Sequence, residues 1–228
     1  CMVDAENIGE VVPTVLIERF LRSVDEGKPV SVPALSLRTQ VLENEALRRS
    51  LGMPAGTTGI RVIAVEHGGA CEGHVKVGDA LLEVDGHVVA NNGTIRYANR
   101  FRTQVGALLG HRAVGEPLGL VVWRDGQRLQ LQVTLAPLAS LVERHRYDRR
   151  PDYLVYGGLV FQPLTRDFLT TWDKWWLHAP KDLLDAYWNG SRTAEVEELV
   201  VVTQVLADEL TMGVSERVNE VVATVNGS

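Results

Sequence analysis

Six histidines are the side chains of this chain best suited to moving a proton near neutral pH: His67, His74, His87, His111, His145 and His178. None stands in a local arrangement with a serine that would make a nucleophile and its base. The nucleophile-elbow pattern G-x-S-x-G is absent from the sequence. The only thiols are Cys1 and Cys71, too few for a disulfide framework, and no His/Cys/Asp spacing matches a zinc ligand set. No catalytic residue, no metal site and no cofactor is therefore expected. Trp172, Trp175 and Trp176 fall at i, i+3 and i+4, so one helix face accounts for them. Such a face serves packing or a subunit contact, with an aromatic ligand site as the alternative. The basic run Arg144–Arg150 reads as a solvated connection rather than a binding patch. The stretch Val75–Gly86, V-K-V-G-D-A-L-L-E-V-D-G, is more informative. Gly78 supplies the positive φ of a tight turn, and Asp79 accepts hydrogen bonds from that turn. Asp85-Gly86 is the dipeptide favoured by two-residue hairpin loops.

The elements that would position these residues are short. An apolar fraction of 45% and a charged fraction of 23% are ordinary for a globular chain, and 228 residues allow one large domain or two small ones. A net charge of -6 argues against a nucleic-acid footprint, and no apolar run approaches a membrane span. Residues 1–12 read as the end of a strand. A helix follows from Pro13-Thr14, with Leu16, Ile17, Phe20, Leu21 and Val24 on one face and Gly27 as its stop. Pro33–Leu37 and Gly59–Val65 read as strands, and Asn44–Leu51 as a short helix. Arg100–Leu109 reads as a helix from the spacing of Phe101, Val105, Leu108 and Leu109. Leu118–Leu135 is a hairpin about Asp125-Gly126, with Leu129, Leu131, Val133 and Leu135 facing inward. A second β unit starts at Tyr153 and includes a β-prone stretch over Glu198–Leu206. Laid without gaps, Gly59–Gly86 matches Val200–Gly227, a weak internal repeat in which Asp79 meets Glu220. The fold class expected is mostly β with short helices (α+β).

The Val75–Gly86 stretch resembles the signature of PDZ domains, small β-sandwiches that bind peptides. The chain as a whole resembles the C-terminal part of Deg/HtrA-type serine proteases, most closely the plant-type members with a protease domain and two PDZ domains. E-N-I-G-E-V-V-P-T (Glu6–Thr14) is similar to the end of that protease domain. V-L-E-N-E-A-L-R-R-S-L-G-M (Val41–Met53) is similar to the start of the first PDZ domain, and L-V-V-V-T-Q-V-L-A-D-E-L-T-M-G (Leu199–Gly213) to a stretch of the second. The resemblance implies four segments: 1–27 closing the protease domain, 28–140 a PDZ-like β-sandwich, 141–152 a linker, and 153–228 a second, truncated PDZ-like module. It does not bring the chemistry, because the family's G-N-S-G-G nucleophile motif does not occur here.

What it implies is binding. A PDZ domain takes an extended peptide by strand addition and holds its terminal carboxylate in a nest of backbone N–H groups. The matching loop and strand are Leu35, Ser36 and Leu37, and the matching helix is Arg100–Leu109, which makes Phe101 and Val105 the pocket candidates. Glycine is usual where this chain has Ser36, so carboxylate capture is expected to be weakened or lost. The alternative for Leu35, Leu37, Phe101 and Val105 is plain sandwich core. In the second module Gly158, Leu159, Val160 and Phe161 match the same loop. The implied partners are C-terminal or extended peptide segments of protein substrates, the chain's own protease domain, and further copies in a trimer or larger homo-oligomer. The implied compartment is a chloroplast, mitochondrion or nucleus. The competing function is that of a non-catalytic PDZ scaffold or adaptor.

Overall fold

A computed structural model describes residues 12–27, 31–98, 100–146, 149–213 and 217–224. Most of the strand expected over 1–12, and the closing Asn226-Gly227, lie outside these residues. The chain divides after Leu138 into two compact units.

The first unit begins with helix α1 (Thr14–Asp25), which ends where Gly27 takes φ 62°. The strands are β1 (Pro33–Ala34), β2 (Leu37–Val41), β3 (Ile60–Val65), β4 (Ala80–Val84), β5 (His87–Val88), β6 (Thr94–Tyr97), β7 (Phe101–Gln104), β8 (Pro117–Arg124), β9 (Gln127–Thr134) and β10 (Ala136–Pro137). Helix α2 (Glu45–Ser50) lies between β2 and β3, capped by Asn44, whose side chain accepts from the Ala46 amide at 2.8 Å. The main antiparallel sheet runs β2-β3-β4-β8-β9, with β5 on β4. Pro33 and Ala34 pair with Pro137 and Ala136, tying the two ends of the sandwich together. One face of the sheet buries Ile60, Val62, Leu81, Val84, Leu118, Leu120 and Val122 with Val89, Ile95, Leu108 and Leu109. The other face is covered by α2, where Leu47 and Leu51 meet Ala80, Leu82 and Trp123. The Trp123 Nε1–H donates to the Leu51 carbonyl at 3.0 Å, so the large ring is half-buried without losing its hydrogen bond.

The helix expected over Arg100–Leu109 does not form as such. Its first half is β7, paired with β6 from Thr94↔Gln104 to Tyr97↔Phe101, and only Val105–His111 is helical, as a 3-10 helix. The apolar spacing that mimics an α-helix is satisfied here by two different elements.

The second unit contains β11 (Leu154–Tyr156), β12 (Leu159–Pro163), α3 (Arg166–Leu169), α4 (Trp175–His178), α5 (Lys181–Asn189) and β13 (Val200–Val205), with a sheet order of β11-β12-β13. Its packing starts before the expected linker ends. Val142 is buried with Leu164, Leu169, Leu183 and Val201, and Arg146 pairs with Glu143 at 2.5 Å and Asp152 at 2.6 Å. The tryptophans do not share one helix face. Trp172 precedes α4, and Lys174, at φ 43°, breaks the chain between them. Trp172 packs edge-on to Phe168, while Trp175 stacks on Trp188 at 5.9 Å and meets Tyr187 edge-on at 5.4 Å. This aromatic group occupies the β12–β13 connection, the place that α2 takes between β2 and β3.

The internal repeat is present in the backbone, with one change of register. The ladder Leu37↔Val65, Arg38↔Ala64, Thr39↔Val62, Gln40↔Arg61 and Val41↔Ile60 recurs as Leu159↔Val205, Val160↔Gln204, Phe161↔Val202, Gln162↔Val201 and Pro163↔Val200, and both ladders shift register at the same step. Ile60 therefore matches Val200, not Val201 as the gapless alignment has it. The turn that follows is also shared. The Gly78 amide donates to the Val62 carbonyl at 2.9 Å, and the Val62 amide to the Asp79 carbonyl at 2.8 Å. The Asn219 amide donates to Val202 at 2.7 Å, and the Val202 amide to Glu220 at 3.0 Å. Asn219 takes φ 72° where Gly78 takes 99°; asparagine tolerates the left-handed region better than most residues, so the turn survives without its glycine.

Candidate functional site

The feature that could serve a ligand in the first unit is the outer edge of β2. Its inner edge pairs with β3, and among the described residues no strand lies on its outer edge. The loop that leads into it is tightly determined. Ser36 sits at φ 54°, is 5% exposed, and its carbonyl accepts the Glu66 amide at 3.0 Å. Its Cβ lies where Gly69 leaves room: a Cβ added at Gly69 would come 2.5 Å from it. The β3–β4 loop that carries Gly69 is held by the Glu72 carboxylate, which accepts the Gly68 amide at 2.9 Å and lies 2.6 Å from His67 Nδ1. Leu35, Leu37 and Val105 converge on the main core from the loop, the strand and the 3-10 helix, and all three are partly buried.

Phe101 does not join them. It projects from β7 at 59% exposure, with the Arg100 guanidinium 5.5 Å from its ring centroid. The helical spacing placed it on the same face as Val105, but four residues of extended backbone turn it away. Leu108 and Leu109, on the same 3-10 helix as Val105, are the side chains that reach the core here. Their membership of the apolar stripe was legible; their preference over Phe101 was not. The end of the 3-10 helix also reaches β6, where the Tyr97 hydroxyl and His111 Nε2 are 2.9 Å apart.

The Gly78-Asp79 turn of the Val75–Gly86 stretch is structural. Asp79 is 2% exposed, and its carboxylate accepts the Lys76 amide at 2.8 Å and both Nε–H and Nη2–H of Arg124, at 2.8 and 2.7 Å. That bidentate pair locks the Gly78 turn to β8. The contact raises the Arg124 guanidinium above its ordinary value, chiefly through the hydrogen bond to Asp79. Among the described residues no group of three His, Cys, Asp or Glu side chains could hold a metal ion. Cys71 is fully buried, and desolvation pushes its thiol up to about 12.

In the second unit Gly157 and Gly158 form the loop of the β11–β12 hairpin, with Leu159, Val160 and Phe161 on β12. The Gly158 carbonyl accepts the Leu206 amide at 2.7 Å, as the Ser36 carbonyl accepts that of Glu66. The packing is reversed: Gly158 leaves room for the Thr211 methyl, whereas Ser36 fills the room left by Gly69. One face of this sheet lines a cleft of about 1140 Å³ that includes Phe161, Val200 and Val222. In the first unit the residues matching Val200 and Val222, Ile60 and Leu81, are 3% and 1% exposed in the main core.

The sequence profile described as "PDZ domain" matches residues 142–228. Over 225 residues the chain is 31% identical to "Protease Do-like 2, chloroplastic" of Arabidopsis thaliana, covering 98% of this chain and 37% of that protein. Residues 142–228 thus match the PDZ family, and the chain as a whole is similar to the PDZ region of Deg/HtrA-type proteases. Over 224 residues this PDZ region is also 26% identical to "Putative protease Do-like 3, mitochondrial" of the same plant, covering 98% of the chain and 38% of the relative. Among solved structures it is similar to an HtrA-type protease with a decapeptide, at 27% identity and a TM-score of 0.42, covering 59% of this chain and 38% of that one. The PDZ region spans less than two fifths of the length of these curated relatives. Within it, no helix of the described residues is long and apolar enough to cross a membrane.

Proposed function

We propose that this PDZ region binds extended or C-terminal peptide segments of protein substrates at the outer edge of β2, and thereby recruits substrate to a serine endopeptidase and regulates it. The observation that carries the reading is the juxtaposition at β2: an edge without a neighbouring strand, a tight loop at its start, and Leu35, Leu37 and Val105 converging beside it. An added strand satisfies the outward backbone groups of β2, and the apolar side chains give an alternate residue of the ligand somewhere to sit. Peptide held at micromolar strength supplies about 8 kcal/mol, enough to bias a gating equilibrium if two states bind it unequally. On this reading α1 belongs to the end of a protease domain, the first PDZ module closes near residue 138, and the second begins there. The parent protein acts as a trimer or larger homo-oligomer in an organelle.

The test is titration of the 228-residue chain with an equimolar set of decapeptides that carry free C-terminal carboxylates and end in Val, Leu, Ile or Phe. Amide shifts over Leu37–Val41 and Val105 support strand addition at β2. Shifts elsewhere, or none at millimolar peptide, reject it. An amidated set separates carboxylate capture from binding of internal segments.

A further inference from the structure

The two modules share a ladder and a turn but differ in what precedes the loop. In the first, Ser36 alone takes a positive φ, and the residues before it run away as β1 to pair with β10. In the second, Gly157 and Gly158 take φ 55° and 78°. Positive φ at both central residues is the requirement of a two-residue type I′ turn, which sends the chain straight back along the strand it came from. Leu154, Val155 and Tyr156 accordingly pair with Phe161, Val160 and Leu159. Because β12 matches β2 and β13 matches β3, the edge that β11 takes is the one that stays open on β2.

We propose that β11 is an intramolecular occupant of the second module's strand-addition edge. While the hairpin is closed, that module does not take a peptide in this way, and of the two matched edges only that of β2 is open among the described residues. The inference rests on the reading of β2 as a strand-addition edge. A strand tethered by two residues is held at high effective concentration, so a free peptide must compete with it, and its apparent affinity falls by the fraction of open hairpin. The determinant is a single position. Glycine at 157 accepts the left-handed region, whereas Leu35, at the matching place, stays out of it. Loop Gly158, Leu159, Val160 and Phe161 would therefore resemble a ligand loop in sequence while its edge is closed by the chain itself.

Matched amides allow a direct test in the 228-residue chain. Leu37 and Thr39 on β2 correspond to Leu159 and Phe161 on β12, and all four point to the outer edge if the ladders alternate as they should. Hydrogen exchange without peptide should be at least about tenfold slower at Leu159 and Phe161 than at Leu37 and Thr39, since bonded strand amides exchange only through opening. A Cβ added at Gly157 meets no atom within 4 Å, so Gly157→Val acts first on the left-handed backbone conformation. It should speed exchange at Leu159 and Phe161 by about tenfold or more, while Val202 and Leu206, which donate inward, keep their protection. Equal exchange at the four amides of the unmodified chain overturns the inference, as does unchanged protection in the variant. The unmodified chain decides alone if the variant unfolds. With the decapeptide set added, shifts confined to Leu37 and Thr39 that extend to Leu159 and Phe161 in the variant support it. Silence at all four sites rejects strand addition itself, while the exchange rates still report who occupies β12.

Discussion

Gly69→Ala tests whether the loop before β2 is held by the contact between positions 36 and 69. Gly69 is not in the left-handed region, so alanine is allowed by the backbone. Its Cβ would stand 2.5 Å from the Ser36 Cβ, 3.1 Å from the Ser36 Oγ and 3.0 Å from the Glu66 carbonyl oxygen. A Cβ cannot swing away as the end of a long side chain can, so backbone must move. Overpacking of this kind costs about 1–3 kcal/mol. Ser36→Gly alone should be near neutral, because relief of a left-handed residue, about 1 kcal/mol, is offset by the greater freedom of glycine in the unfolded chain, about 0.5–1 kcal/mol. In the Ser36→Gly background two of the three close contacts vanish. The cost of Gly69→Ala should then fall by at least about 1 kcal/mol, within the range seen for touching residues. The second unit already shows the reversed arrangement, with glycine at 158 and a larger residue, Thr211, opposite. The assay is native-state hydrogen exchange at Leu120 and Val122 of β8, which are buried in the first unit's core and report its opening free energy in all four chains. A Gly69→Ala cost that is the same in both backgrounds, within about 0.3 kcal/mol, refutes the reasoning.

Arg124→Met should destabilise the first unit by about 3 kcal/mol or more, since it leaves the 2%-exposed Asp79 carboxylate without its bidentate partner. Asp79→Asn added to it should recover part of that loss, and urea unfolding of the unmodified chain and the two variants checks both statements. Cys71, with its thiol pushed up to about 12 and no exposed surface, should resist iodoacetamide at pH 8 in the native chain and be alkylated only at the rate of unfolding, as read by peptide mass mapping. Asp167 is held below the usual carboxylate range first by the Arg146 amide at 2.8 Å and then by His145 Nδ1 at 2.5 Å. A depressed folded value means that its contribution is fully present above the unfolded carboxylate pKa of about 4 and is lost as pH falls through the folded one. Acid titration of the second unit's stability should therefore lose a component below about pH 4, and Asp167→Asn should remove that component.

Much of the scaffold was legible because its turns depend on local chemistry. Asp85-Gly86 and Asp125-Gly126 take φ 50°, 75° and 49°, 80°, the type I′ conformations that these dipeptides favour. The Asn44 cap and the clean alternation of β9 are equally local. The stretch around Phe101 misled because period alone cannot separate an α-helix from a strand that runs into a 3-10 helix. The partner β6 decides that, and its contribution is hydrogen bonding across the sheet rather than anything in residues 100–109. The tryptophans failed for the same reason: their spacing fits one helix, but Lys174 breaks it, and Trp172 packs on Phe168 of α3 while Trp175 packs on α5. The repeat was found, yet its register slipped by one, because apolar residues match one another at either offset and only the ladder chooses.

By itself the sequence determined the module. A Gly-Asp turn, an Asp-Gly hairpin and the run of resemblance along the chain suffice to name a PDZ region, since each depends on residue type at fixed local spacing. It also held the difference between Leu35-Ser36 and Gly157-Gly158, but not the meaning of that difference. Tertiary structure decided that Leu35, Leu37 and Val105 pack on the core while Phe101 stays exposed, and that β11 lies on the edge of β12 that corresponds to the open edge of β2. The physical reason is that strand edges are satisfied by whichever segment arrives there. Arrival is settled by the whole fold and not by the residues of the edge.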